Sequence, residues 1–203
     1  MIEIPNLPKL KRIAQSLATL DLINEPEWQY RYYSYNSRWS DTEQMASMRN
    51  GCGDEWFLLF DSDGNAGLKG LAHEAPAALD KGLSERLQAG VPVQLAGFAE
   101  EPAFRWDSTS FCFWWLKSEE VWIEPSEQEE LETGANALLS ILSSGASGYQ
   151  EFACEYFERD LDVSVIDRIF EHEPLTPSLA SEINPDASMP QILDDLKEIR
   201  YPH

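Results

Sequence analysis

The 203-residue sequence predicts an α+β fold: a mainly antiparallel sheet with packed helices, followed by a helical C-terminal region. Three observations carry that expectation. Two apolar runs, EWFLLF (55–60) and AGLKGL (66–71), flank a short polar tip, as the strands of a hairpin do. Strand-like and helix-like segments do not alternate in a regular βαβ rhythm, which argues against a doubly wound parallel sheet. From Ser126 onward the apolar spacing becomes helical, with few strand-like runs.

Each element has its own justification. Leu7, Leu10, Ile13, Leu17 and Leu20 recur at spacings of three and four, which predicts a helix over 8–22 closed before Pro26. The aromatic stretch EWQYRYYSYN (27–36) predicts a strand. Ser40 and Glu43 have capping-box spacing, so a short helix is expected from there to Arg49, stopped by NGCG. In the hairpin, Gly64, Asn65 and Gly67 tolerate the positive φ that a tight turn requires. Pro76 suits a first helical turn, and Leu79, Leu83 and Leu87 share a face, predicting a helix over 76–89. Strands are expected at 92–98, 109–116 and 121–124. In FCFWWL (111–116) both alternating faces are apolar, which predicts burial on both sides. The rival reading makes one of those faces a partner surface anchored by Trp114.

In the second part of the chain, Ser126 and Glu129 suggest another capping box, with a helix to about Ser143. SSGASG reads as a flexible break, and helices are expected over 149–160 and 163–171. Proline and Asn-Pro steps then divide the remainder into short helices. The expected organisation is an α+β sheet domain over 1–125 and a helical region over 126–203 docked on the same core.

Charge narrows the function classes. The chain carries 36 acidic and 15 basic side chains, a formal net charge of −21. Such a field repels nucleic acid and anionic membranes and attracts basic proteins. The excess is concentrated: residues 119–173 hold 15 acidic and 2 basic side chains. Within that block Glu151, Glu155, Glu158, Asp160 and Asp162 form the densest run and the first candidate binding surface. Cys52, Cys112 and Cys154 are odd in number and lack CxxC spacing, so they read as reduced thiols in a cytoplasmic protein. The N-terminus has no signal-peptide pattern, and no apolar run approaches a membrane span.

Catalytic motifs are sparse. There is no P-loop, GxGxxG, GxSxG or HExxH. Asp61, Asp63 and Asn65 mimic positions 1, 3 and 5 of an EF-hand loop, but Ala66 and Ala72 replace the glycine and glutamate that positions 6 and 12 require. DSDGNAG is therefore first a turn. A second candidate site, for a small ligand or a reaction, would gather Asp61, Asp63, His73 and Glu74 at one end of the sheet. No metal or cofactor is expected.

Taken together, GDEWFLLF with its GLKGLAHE continuation, EEPAF, FCFWW and the closing DDLKEIRYP resemble an uncharacterised family of bacterial cytoplasmic proteins without an assigned activity. The resemblance implies no catalytic residue. In size, acidity and α+β character the chain is also similar to immunity proteins of bacterial toxin systems, a similarity of type rather than of motif. The resulting expectation is an acidic cytoplasmic protein-binding domain, an inhibitor of a basic partner. The alternative is a small-ligand protein or enzyme built on the hairpin residues.

Overall fold

In the computed structural model, which describes residues 3–203, six strands form one sheet. They are β1 (Tyr33–Asn36), β2 (Glu43–Arg49), β3 (Glu55–Asp61), β4 (Ala66–Leu71), β5 (Phe111–Leu116) and β6 (Val121–Ile123). Their spatial order is their chain order, and every neighbouring pair is antiparallel. The hairpin about DSDGN supplies the central pair, with Gly64 at φ 93° and Asn65 donating to both carboxylate oxygens of Asp61 (2.8 Å each).

Side-chain alternation separates two cores. Trp56, Leu58, Phe60, Phe111 and Phe113 point to one face, and Phe57, Leu59, Cys112 and Trp114 to the other. The first face is covered by α1 (Leu7–Asn24), α5 (Ile141–Tyr156), α6 (Val163–Phe170), α7 (Pro177–Ile183) and α8 (Met189–Ile199). Leu139, Ile166, Leu179, Leu196 and Tyr201 share its cluster with Leu10, Leu17 and Trp56, so residues 126–203 dock on the same core as the N-terminal helix. The second face is covered over β3–β5 by α2 (Leu83–Gly90), α3 (Ala96–Glu100) and intervening turns. Both faces of β5 are thus buried, as FCFWWL predicts, and Trp114 is only 8% exposed. It is a core residue rather than a surface anchor.

Several expected elements differ. The strand expected over 27–36 begins only at Tyr33; Trp28–Tyr30 form a single 3-10 turn. Residues 43–49 are strand β2, not a helix. The Ser40 hydroxyl does donate to the Glu43 carboxylate (2.9 Å), but the pair closes a turn in which the Ser40 N–H bonds the Glu43 carbonyl. Ladders to β1 on one side and β3 on the other then override local helix propensity. The helix expected over 76–89 splits into a 3-10 turn at Pro76–Leu79 and α2. The strand expected over 92–98 is a 3-10 turn followed by α3. β4 pairs directly with β5, which leaves that segment no ladder, and it packs instead through Leu95 and Phe98 at helical spacing.

The helix expected from Ser126 is replaced by turns. Gln128, 1% exposed, accepts the Cys112 N–H (2.7 Å) and ties those turns to β5. Helices begin only at α4 (Ala135–Leu139), and SSGASG lies inside α5 as a kink at Gly145 (φ 64°, ψ −152°).

Candidate functional site

The acidic run of the sequence divides into parts with different tasks. Glu151 and Glu155 lie one turn apart on α5, both exposed. With Tyr32 and Phe152 they line a groove of about 510 Å³ between α5 and the N-terminal end of β1. Glu158 follows the helix in a left-handed conformation (φ 55°), and Asp160 accepts a long bond from Gln150 (3.4 Å). Asp162 caps α6 by accepting from the Ser164 N–H and hydroxyl (2.8 Å each), which holds its carboxyl below the usual range.

An aromatic ridge adjoins Glu151 and Glu155. Tyr156, Trp28 and Tyr30 are 39%, 55% and 53% exposed. The Tyr156 hydroxyl donates to the Tyr30 carbonyl (2.8 Å), and its ring lies 4.3 Å from that of Tyr32. The helix bearing the two glutamates is therefore pinned to the 3-10 turn bearing Trp28 and Tyr30. The aromatic stretch EWQYRYY is visible in the sequence, but its partial alternation suits a strand, whereas Trp28 and Tyr30 lie in a 3-10 turn that leaves both rings exposed.

The hairpin residues do not converge. Asp61 and Asp63 stand at the tip, whereas His73 and Glu74 follow the far end of β4, beside the start of β3. A strand of seven residues separates the two pairs by roughly 20 Å at ~3.3 Å per residue. Asp61 is engaged by Asn65 in the turn. His73 Nδ1 and N–H both meet Asp54 Oδ1 (2.7 and 2.9 Å), and Glu74 is exposed at the surface. A four-residue site at one sheet end is thus not formed.

A cavity of about 760 Å³ lies where the second face of β1 and β2 has no helix over it. Its floor includes Ser34 of β1, Ser47 of β2 and Phe57 of β3. On one side stand Arg49, Glu55 and Arg105. Arg105 pairs with Glu55, a carboxylate 3% exposed whose other oxygen has no hydrogen-bond partner. The Arg49 guanidinium lies over the Trp28 ring, 4.7 Å from its centroid. On the other side α8 presents Asp195 and Glu198, with Arg31 paired to Asp195 (2.7 Å). Glu198 has its carboxyl pushed up by partial burial and by Asp195. None of these residues stands in a recognisable motif; they come from β2, β3, α8 and two turns, and only the fold brings them together.

Among the described residues, no three His, Cys, Asp or Glu side chains gather as a metal-binding group, and no helix is long and apolar enough to cross a membrane. The chain matches no protein-family model, no curated protein and no solved structure.

Proposed function

We propose that the protein is an acidic binding domain that receives a basic protein partner on the face formed by α5 and the Trp28–Tyr30 turn, in the manner of an inhibitor. The observation that carries this reading is the exposed Tyr156, next to Glu155 on α5, whose hydroxyl ties that helix to the turn bearing the exposed Trp28 and Tyr30. Aromatic anchors supply residence time once desolvated, and carboxylates at their rim steer a cationic surface into place. The charge of residues 119–173 extends the attracting field beyond the contact itself. A toxin nuclease, whose phosphate-binding lysines and arginines would meet these carboxylates, fits that chemistry.

The test is affinity capture from native-host lysate with three baits: the wild type, Glu151→Gln/Glu155→Gln, and Trp28→Ala. Capture of one basic protein by the wild type, weakened by salt, with slower association to the double variant and about tenfold faster release from Trp28→Ala, is expected. Equal capture by all three baits, or none by the wild type, contradicts the assignment.

A further inference from the structure

The cavity over β1 and β2 adjoins the proposed protein face at Trp28, which lines it, but its charged groups come from other elements and carry a separate reading. Its charged groups are arranged with opposite sign on opposite walls. Arg49, Arg105 and Glu55 leave one net positive charge on the β2–β3 side; Asp195, Glu198 and Arg31 leave one net negative charge on the α8 side. Two of the six enter no ion pair among the described residues: Arg49, held over Trp28, and Glu198. Arg38, the remaining charge felt by Glu198, lies outside the cavity.

The spacing between the walls limits the ligand. α8 packs beside β1, and Glu55 stands on β3, two strands away. Arg49 meets the chain at Tyr32, before β1, and Glu198 meets it at Ser37, just after β1, so the two residues stand roughly 16 Å apart at the backbone, five residues at ~3.3 Å each, and their side chains close part of that gap. An extended di- or tripeptide spans roughly 7–10 Å. The floor between the walls offers the hydroxyls of Ser34 and Ser47, suited to a peptide's own N–H and C=O groups. We propose that this cavity binds a short zwitterionic peptide, its carboxylate at Arg49 and Arg105 and its ammonium at Glu198 and Asp195. Arg49 supplies a planar donor fork for the carboxylate, and Trp28 keeps that fork oriented. Asp195 is already paired with Arg31, so Glu198, three residues on along the same helix, is the carboxylate left to take the ammonium.

The experiment is calorimetric titration with dialanine and trialanine, and with trialanine that is N-acetylated or C-amidated, followed in parallel by tryptophan fluorescence. At least one free peptide is expected to bind saturably, and each cap to weaken binding about tenfold or more, the loss typical of a charge-assisted hydrogen bond. Arg49→Gln should abolish the penalty of the amide, and Glu198→Gln that of the acetyl group, since each removes the same interaction from the other side. Both side chains are exposed, so the variants are expected to melt with the wild type. No saturable binding of either free peptide at millimolar concentration overturns the proposal. So does equal binding of free and capped forms, or capping penalties that neither variant changes.

Discussion

Asp21 shows how much one buried side chain can organise. It is fully buried in α1, where its carboxylate accepts the N–H groups of Tyr32 and Tyr33 and the hydroxyl of Tyr149, each at 2.8 Å. It thereby ties α1 to the start of β1 and to α5. Burial pushes its carboxyl up to about 7, against the downward pull of those donors and of Arg31. The folded chain therefore holds this proton more tightly than the unfolded chain between about pH 4 and 7. The Asp21 contribution to stability is full below that window and is lost as pH rises through it. Asp21→Asn keeps the shape and an acceptor for the two N–H groups. The wild type should lose stability on the order of 3 kcal/mol relative to Asp21→Asn between pH 4 and 7, measured by urea unfolding. Parallel pH profiles for the two proteins would show that the carboxyl does not titrate as argued. Lys69 makes the complementary case in β4. It is fully buried, and its ammonium donates to the carbonyls of Phe104, Arg105 and Ser108 (2.7, 3.3 and 2.9 Å). Lys69→Met fills similar space but strands three acceptors, and should lower stability by about 2–4 kcal/mol. An unchanged urea midpoint would mean that water satisfies them equally well.

The elements explain what the sequence could and could not convey. Those whose apolar spacing matches their packing are legible: α1, the β3–β4 hairpin, β5, α6 and the short C-terminal helices. β2 is hard to read because EQMASMR has helix-forming residues and a capping-box prefix, whereas the structure pairs it with the strands just before and just after it in the chain. The cavity is hidden for a different reason: the pair Arg49 and Glu55 and the pair Asp195 and Glu198 lie more than a hundred residues apart in the chain. Glu151 and Glu155 were legible as an acidic run, but their aromatic neighbours come from a turn more than a hundred residues earlier. Glycines in β4 mark a close approach of elements. A Cβ on Gly70 would lie 2.8 Å from the Glu55 carbonyl and inside the contact distance of the Phe111 ring. Gly51 at φ 72° has open space around it. Gly70→Ala should therefore destabilise by about 2–3 kcal/mol, against about 1 kcal/mol of backbone strain for Gly51→Ala, in paired thermal melts. Equal effects would place the constraint in the backbone alone.

At the scale of the whole molecule, one sheet carries two unequal coats. Five helices build the layer on its first face that buries Trp56 and Tyr149, while helices cover the second face only over β3–β5. The uncovered portion leaves a cavity of mixed charge. The acidic excess is densest over residues 119–173, which include α5 of the first coat, and there Tyr156, beside Glu155, bonds the turn that bears the exposed Trp28 and Tyr30. The proposed docking of a basic protein on the aromatic ridge is read out by hydrogen exchange on the complex with the captured partner. Slowed exchange is expected over residues 28–32 and along α5 from 148 to 157, with little change at the hairpin tip 61–65. Protection confined to that tip, or to α2 and α3, would contradict it.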